Sequence, residues 1–254
     1  MRNKGRTKER CEHNMKNTVK DFCTLMRILL STDKEEEESS GKFPLDSHLR
    51  GSVHQRKRIK ACAEFCAQNY EGDLVEIGAL YGETTVQLCE VAKKYNRKVI
   101  VVDPWDKYNR ASQYIDGTEY KIFLETVEDY HDTLEVIKDS SLNPDVFSKI
   151  RERQLSFAFV DGDHTPNGLT NDLLMVDHCN GAVAVDDLSY YQNCPCCDNM
   201  YSLSTVFSKF SEKNKFSNFI NTFWREGYII KDLELRNILK TYRTAKKEGL
   251  KVFS

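Results

Sequence analysis

The sequence predicts an α/β fold with a mostly parallel sheet and helices on both faces. Five short apolar runs alternate with helical segments between residues 73 and 187, and this alternation indicates parallel βαβ units. The runs are apolar throughout, as expected for strands covered on both faces. The length of 254 residues suits one α/β domain with additions.

Two segments precede the first predicted strand. Residues 1–45 are interpreted as an N-terminal extension, in which "NTVKDFCTLMRILL" has apolar residues at helical spacing and "STDKEEEESSG" forms a solvated acidic linker. A second helix, "SVHQRKRIKACAEFCAQNY", places Ile59, Cys62 and Ala63 on one face. We expect the main domain to span residues 46–235, followed by a basic tail at 236–254.

Seven strands are expected in the main domain, which gives a Rossmann-like sheet. The first five are "DLVEIG", "KVIVVD", "LEVIKD", "LSFAFVD" and "GAVAVDD". The helices between them are "ETTVQLCEVAKKY", "YKIFLETVEDY", "NPDVFSKIRER" and "LTNDLLMVDHC". After the helix "LSTVFSKFSEK", the runs "FSNFINTFW" and "GYIIKDL" predict an antiparallel C-terminal hairpin that extends the sheet.

Charge and hydropathy exclude several classes of function. Lys and Arg number 37 against 39 Asp and Glu, so the net charge of -2 gives no long-range attraction to nucleic acid or an anionic membrane. No apolar run approaches the ~20 residues of a membrane span, and no apolar region follows the charged N-terminus as in a secretory signal. The nine cysteines, an odd number, favour reduced thiols and a cytoplasmic protein.

Every one of the five apolar strands ends in or beside a carboxylate. Ligands bind at the carboxyl ends of strands in an open parallel sheet, so these acids are candidate site residues. Helix capping explains a single acid at a strand end. It does not explain "DGDH" or "DD", where neighbouring carboxylates repel each other unless a cation or solvent relieves them. The acids are Glu76, Asp103, Asp139, Asp161, Asp163, Asp186 and Asp187.

The first turn, "VEIGALYGETT", indicates a nucleoside cofactor. It contains Gly78 and Gly82 but lacks the GxGxxG pattern of dinucleotide dehydrogenases. Asp103 follows Gly78 by 25 positions, where a carboxylate accepts hydrogen bonds from ribose hydroxyls. A short glycine turn with this acid suits S-adenosylmethionine, which has no pyrophosphate.

Six sequence blocks resemble a known enzyme family in the same order. They are "EGDLVEIGALYGETTVQL", "VVDPW", "FLETV", "VIKDSS", "FVDGDHTPNGLTNDL" and "GAVAVDDLSYY". The resemblance is to class I S-adenosylmethionine-dependent methyltransferases, and most closely to the macrocin-O-methyltransferase and rhamnosyl-O-methyltransferase-like group (methyltransferase family 24-like), over roughly residues 50–191. It implies an O-methyltransferase that acts on a hydroxyl of a sugar or a sugar-bearing small molecule, and relatives suggest a homodimer.

The resemblance also implies the cofactor-binding residues. The turn from Glu76 to Gly82 would face the methionine part of the cofactor, Asp103 the ribose, and the segment 139–141 the adenine. Trp105 is either an apolar wall of the pocket or a core residue. The full set is Glu76, Gly78, Tyr81, Gly82, Thr84, Asp103, Trp105, Asp139, Ser140, Ser141 and Asp161.

A divalent cation is the second cofactor that the resemblance implies, with Asp161, Asp186 and Asp187 as ligands. Three carboxylates from two strand ends form an oxygen-only site, which suits Mg²⁺. The ion would lower the pKa of a bound substrate hydroxyl. Asp163, by resemblance, or His164, by its ordinary pKa, would take the proton.

Alternatives remain open at this stage. Asp186 and Asp187 could position only cofactor or acceptor, with no metal. The protein could be a catechol-type O-methyltransferase or a non-catalytic cofactor-binding partner subunit. The loop "NCPCCDN" could supply half of a zinc site through Cys194, Cys196 and Cys197, with Cys179 or His178 as the remainder. Pro166 stands where the family usually has Tyr, so acceptor contacts cannot be carried over from the resemblance.

Overall fold

A computed structural model describes residues 21–29, 53–105, 118–188, 200–214, 217–221 and 226–230. These residues form helices α1–α7, one short 3₁₀ helix at Glu128–Tyr130 and strands β1–β7. The helices are α1 (residues 21–29), α2 (Val53–Asn69), α3 (Glu83–Tyr95), α4 (Thr118–Thr126), α5 (Pro144–Arg151), α6 (Pro166–Val176) and α7 (Met200–Lys213). The strands are β1 (Asp73–Ile77), β2 (Val99–Val102), β3 (Leu134–Ile137), β4 (Leu155–Val160), β5 (Ala182–Val185), β6 (Ser217–Asn221) and β7 (Glu226–Ile230).

The strands form one sheet in the order β3-β2-β1-β4-β5-β7-β6. Strands β1 to β5 pair in parallel, and β7 pairs antiparallel with both β5 and β6. This confirms the predicted α/β fold, with its mostly parallel sheet and antiparallel C-terminal hairpin. The chain order reverses between β1 and β4, and such a switch point opens a ligand crevice at the carboxyl ends of the strands.

The central strands are buried on both faces because each face carries helices. Along β4, Phe157 and Phe159 pack into the core on one face of the sheet, while Ala158 and Val160 pack into the core on the other. Successive side chains of a strand point to opposite faces, so a strand covered twice is apolar at every position. The continuous apolar runs of the sequence therefore reflect two hydrophobic cores rather than one.

The N-terminal helical stripe is confirmed over residues 21–29. Phe22, Met26 and Leu29 of α1 are buried, and the ring centroid of Phe22 lies 5.7 Å from that of Phe65 on α2. Among the helices described, none combines the length and the hydropathy that a membrane span requires. The predicted acidic linker and basic tail lie outside the described residues.

Candidate active site

The strand-end acids of the first, second, fourth and fifth strands gather at the switch point. The pKa of Glu76 is raised to about 8, mainly by burial. A hydrogen bond from Thr85 acts against this rise, and the charges of Asp161 and Asp103 contribute to it. Burial also raises the pKa of Asp186, and the charges of Asp187 and Asp161 add to that effect. Acids spread over 112 positions therefore lie close enough to influence one another's ionisation.

The turn between β1 and α3 needs its glycines for two reasons. Gly78 and Gly82 have φ of +84° and +83°, in the left-handed region that favours glycine. A Cβ atom at Gly78 would lie 2.1 Å from the carbonyl oxygen of Asp161, so β1 and β4 meet there without room for a side chain. At Gly82 the nearest atom would be in the Phe123 side chain, at 3.0 Å.

Asp103 holds this turn from the end of β2. Its Oδ2 accepts hydrogen bonds from the backbone N–H groups of Ala79 at 2.8 Å and Leu80 at 3.0 Å. Its Oδ1 accepts one from the N–H of Trp105 at 2.7 Å, and Asp103 is only 3% exposed. The carboxylate that the sequence assigns to a ribose therefore also orders the glycine turn, and its ribose contact stays a prediction.

Trp105 is a packed residue of the core beside this turn. Its indole N–H donates to the carbonyl of Leu80 at 2.8 Å, and its ring centroid lies 4.6 Å from Phe123 and 4.8 Å from Tyr120. With 6% of its surface exposed, it fits the core interpretation better than the pocket-wall interpretation. Tyr81 is also buried, at 5% exposure.

Thr85 is a site residue that sequence reasoning passed over in favour of its neighbour Thr84. The Thr85 hydroxyl donates to Oε2 of Glu76 at 2.5 Å, and both side chains are buried. Thr84 is only partly buried. The position of Thr85 on the inner face of α3, three residues after Gly82, is the signal that distinguishes the two threonines.

The turn after β3 is held by hydrogen bonds between its own residues. Oδ1 of Asp139 accepts the N–H of Ser140 at 2.7 Å, and Oδ2 accepts the side-chain amide of Asn143 at 2.8 Å. Asn143 in turn caps α5 by accepting the N–H of Asp145 at 3.0 Å. The capping interpretation thus accounts for these contacts, and the adenine contacts of Asp139, Ser140 and Ser141 remain predictions.

The ends of β4 and β5 form a different kind of cluster, in which two carboxylates face one histidine. Nε2 of His164 lies 3.1 Å from Oδ1 of Asp161, and Nδ1 lies 3.6 Å from Oδ2 of Asp187. The candidate ligand atoms of the three residues lie within 4.8 Å of one another. Asp187 has φ of +54°, an uncommon backbone conformation for a residue other than glycine.

This cluster differs from the predicted set of metal ligands. It contains Asp161 and Asp187, but His164 takes the place that the sequence assigned to Asp186. Oδ1 of Asp186 is buried and has no hydrogen-bond partner among the described residues. Carboxylate oxygens suit Mg²⁺ and Mn²⁺ and an imidazole suits transition metals, so the residues present fit a divalent cation.

Asp163 and His164, the two candidates for proton acceptor, contact different groups. Asp163 contacts Thr165, and His164 contacts Asp161 and Asp187. The backbone N–H and the hydroxyl of Thr165 donate to Oδ1 and Oδ2 of Asp163, at 3.0 and 3.1 Å. Thr165 then caps α6 by accepting the N–H of Gly168 at 3.0 Å. Asp163 thus belongs to the start of α6, and His164 is the candidate that contacts the acidic cluster.

Asp172 is a buried acid that sequence reasoning missed. It is 0% exposed, and its Oδ2 has no hydrogen-bond partner among the described residues. This atom lies 3.0 Å from where a Cβ of Gly162 would be, directly beneath the "DGDH" loop. Burial raises its pKa to about 6, against hydrogen bonds from Ser141 and Asn171 that lower it. Its only sequence signal is its place directly before the apolar residues "LLMV" of the predicted helix.

The cysteine loop is the predicted half of a zinc site. Cys194, Cys196 and Cys197 lie outside the described residues, so the zinc alternative stays a prediction. His178 and Cys179, its other suggested ligands, lie before β5, at the end of the sheet opposite the acidic cluster. Nε2 of His178 contacts the carbonyl of Arg153 at 2.9 Å, and the Cys179 thiol is buried.

Comparisons with known proteins agree with this architecture. The family model described as "Methyltransferase domain" (Methyltransf_24) matches residues 75–188. The comparison with curated proteins gives no match.

The solved structures that are similar over most of the chain include the following three. NovP, an O-methyltransferase, is 14% identical, with a TM-score of 0.54, over 84% of this chain and 99% of its own. The apo structure of CalS11, a TDP-rhamnose 3'-O-methyltransferase of calicheamicin biosynthesis, is 13% identical, with a TM-score of 0.52, over 84% and 93%. The SAH-bound Podospora anserina methyltransferase PaMTH1 is 14% identical, with a TM-score of 0.53, over 91% and 97%. At these identities the structures show a shared fold alone. The family match over residues 75–188 agrees with the methyltransferase family and the enzyme class that the motifs predict.

Proposed function

We propose that this protein is an S-adenosylmethionine-dependent O-methyltransferase that acts on a hydroxyl of a sugar or a sugar-bearing small molecule with the help of a divalent cation. The observation that carries the proposal is the pair of neighbouring strand ends that set Asp161 and Asp187 on either side of His164, beside the glycine turn. Names of the structural relatives support the chemistry: CalS11 is a TDP-rhamnose 3'-O-methyltransferase, and PaMTH1 was solved with SAH.

The cofactor would lie along the ends of β1 and β2, with its adenine near the end of β3. S-adenosylmethionine supplies an electrophilic methyl group when bound. The glycine turn leaves backbone N–H and C=O groups open to close approach. Asp103, at the end of β2, is proposed to accept hydrogen bonds from the ribose hydroxyls.

Asp161, Asp186 and Asp187 are proposed to hold the cation. A divalent ion there offsets the mutual repulsion of the three carboxylates and lowers the pKa of a coordinated hydroxyl. Two neighbouring hydroxyls, on a sugar or on a diphenol, are acceptors that such a site can orient. A catechol-type acceptor is therefore the second candidate substrate class.

His164 is proposed as the group that takes the hydroxyl proton. Its two ring nitrogens lie 3.1 and 3.6 Å from carboxylate oxygens of Asp161 and Asp187, and these charges stabilise the imidazolium that forms. The remaining requirement is to align the acceptor oxygen with the methyl group, which is a task of positioning.

The proposal is tested by transfer of a labelled methyl group from S-adenosylmethionine to a panel of glycosides and phenols, with Mg²⁺ and with a chelator. We expect labelled product from at least one glycoside and a faster reaction with Mg²⁺. Product from catechols alone would favour the second substrate class. Tight binding of NAD with no binding of S-adenosylmethionine, measured by calorimetry, would contradict the proposed cofactor.

The role of His164 is tested separately with His164→Gln. A proton acceptor can be lost without loss of cation affinity, so this variant should bind Mn²⁺ as the wild type does and transfer methyl groups about 10²–10⁴-fold more slowly. A variant that loses Mn²⁺ affinity as well would instead make His164 a ligand of the cation. Asp163→Asn is the matched control, since Asp163 contacts Thr165 at the start of α6.

The division into a main domain at 46–235 with flanking segments, the homodimer and the cytoplasmic location also stay proposals. Size-exclusion chromatography with light scattering tests the dimer.

A further inference from the structure

A buried ion pair joins the first helix of the main domain to its last strand. Arg58 of α2 and Glu226 of β7 are 168 positions apart in the chain, and their side chains are 4% and 0% exposed. Nε of Arg58 donates to Oε2 of Glu226 at 2.8 Å, and Nη2 donates to Oε1. The hydroxyl of Tyr228 donates to the same Oε2. Because desolvation of two charges is costly, such a pair is weak evidence for stability alone.

The register of the sheet brings this ion pair to the cation site. In the antiparallel pairing of β5 with β7, Tyr228 lies opposite Ala184 and Gly227 lies opposite Val185. The next step in the same register sets Glu226 opposite Asp186. Glu226 is in fact close enough for its charge to raise the pKa of Asp186.

Two carboxylates facing each other across a strand pair repel, so this arrangement needs a compensating charge. The guanidinium of Arg58 supplies one, and its fixed fork also sets the orientation of the Glu226 carboxylate. The start of β7 also packs closely against Leu188. A Cβ atom at Gly227 would lie 2.2 Å from the side chain of Leu188, the residue that follows Asp187.

We propose that Arg58, Glu226 and Tyr228 are positioning residues that hold the start of β7, and through it Asp186 and Asp187, in the arrangement that binds the divalent cation. This inference rests on the proposed cation site. Helix α2 packs on β4 and β5, so Arg58 reaches Glu226 from an element anchored on the same two strands that carry the acids. The ion pair itself is not a ligand of the cation.

The test uses the double variant Arg58→Met/Glu226→Gln in the full chain. A single substitution would leave one buried charge without its partner and could unfold the protein, whereas replacement of both charges by side chains of similar volume is often tolerated. Mn²⁺ affinity, measured by calorimetry, reports on the acids without requiring the acceptor substrate. We expect Mn²⁺ to bind about 10–100-fold more weakly, as for other residues that orient metal ligands.

A second Arg–Glu pair provides the matched control. Nη2 of Arg153 contacts both carboxylate oxygens of Glu135 at 2.8 Å, on β3 at the far side of the sheet. Arg153→Met/Glu135→Gln should leave Mn²⁺ affinity within about twofold of the wild type. Arg58→Lys, which keeps the charge but loses the fork, should restore part of the affinity that the double variant loses.

The outcomes separate the inference from the function on which it rests. A folded double variant, judged by circular dichroism, that binds Mn²⁺ as tightly as the wild type would overturn the inference and leave the cation site in place. An equal loss of affinity in the control pair would also overturn it, because the effect would then be a general one. A wild type that binds no Mn²⁺ would overturn the cation site and the inference together.

Discussion

At the ends of β1, β2 and β3 the acids accept hydrogen bonds from the chain itself, whereas after β4 and β5 Asp161, Asp186 and Asp187 lie near one another and a histidine. In the first group, called the cofactor half, Asp103 accepts a backbone N–H group of the glycine turn after β1, and Asp139 accepts one of its own turn. In the second, called the cation half, Asp161 and Asp187 contact His164, and Oδ1 of Asp186 is buried with no hydrogen-bond partner in the described part of the chain.

The difference separates acids whose contacts the fold explains from acids that we propose to bind a ligand. Carboxylates that accept two or three hydrogen bonds from neighbouring turns stabilise the structure in the absence of any cofactor. Clustered carboxylates carry a repulsion that the folded chain relieves only in part. Local arrangements that folding alone would not favour are expected at functional sites. The cation half is therefore where substitution should affect catalysis most and stability least.

The largest effect is expected from Asp161→Asn. Loss of one charge from the proposed cation site should lower cation-stimulated methyl transfer by about 10²–10³-fold, because it removes stabilisation of the developing alkoxide. Affinity for S-adenosylmethionine, measured by calorimetry, should change little. Asp145→Asn, on the exposed side of α5, is the control. Activity that survives both the substitution and a chelator would remove the reason to assign a cation to this half.

The next effect concerns Gly78, where the two halves touch. Gly78→Ala should lower the free energy of unfolding by about 3 kcal/mol or more, because the new Cβ meets the Asp161 backbone 2.1 Å away at a φ of +84°. Gly82→Ala has similar backbone strain, at a φ of +83°, but its nearest neighbour is a side chain at 3.0 Å, so it should cost about 1 kcal/mol. Urea unfolding measures both. Equal losses of unfolding free energy in the two variants would show that β1 and β4 can move apart at Gly78 to admit a methyl group.

A pH dependence is expected from Glu76 in the cofactor half. Its pKa in the folded protein is about 8, above the ordinary value of 4.5, so between these values the folded state binds a proton that the unfolded state lacks. Stability from this group is complete below pH 4.5 and is lost as the pH rises towards 8, at up to about 1.4 kcal/mol per pH unit.

Glu76→Gln removes this proton and should flatten the dependence. Unfolding free energies from urea titrations at pH 6, 7 and 8, without cofactor or cation, should fall more steeply for the wild type than for the variant. The window above pH 6 limits the contribution of Asp172, whose pKa is about 6. Parallel curves for the two proteins would mean that Glu76 is ionised in the folded state.

The smallest effect is expected from Asp139→Ala. It removes two hydrogen bonds within one partly exposed turn, so the free energy of unfolding should fall by about 1 kcal/mol. Asp132→Ala, at an exposed acid, serves as the control and should change little. A tenfold loss of S-adenosylmethionine affinity with no change in stability would show that Asp139 mainly binds the cofactor. The acids of the cofactor half could then not be explained by the fold alone.

Local sequence patterns were sufficient to predict the sheet and the edge that carries the site. Apolar runs bounded by helical segments predict parallel strands, and the ends of parallel strands share one edge, so Glu76, Asp103, Asp161 and Asp186 were expected together. The orientation of their side chains was not predictable, because it depends on contacts made by the turns. Asp103 accepts hydrogen bonds from residues 23 and 24 positions earlier, and Asp163 turns towards the start of α6.

Non-local contacts account for most of what the sequence did not reveal. Asp172 sits beneath the "DGDH" loop only because α6 packs there, and a single polar residue in a helix does not show that it is buried. Arg58 and Glu226 are separated by 168 positions, and no local pattern relates them. The placement of β7 between β5 and β6 is likewise a matter of long-range pairing.

That strand order bears on how the chain is made. A nascent polypeptide leaves the ribosome N-terminus first, and domains fold as their segments emerge. Strand β5, which leads into Asp186 and Asp187, pairs on its outer side with β7, so that side stays open until residues 226–230 have been synthesised. An open strand edge is a template for pairing with other chains. The half-made protein is thus most exposed to aggregation at the strand that leads into Asp186 and Asp187, and translation that stalls before residue 226 should yield an insoluble product.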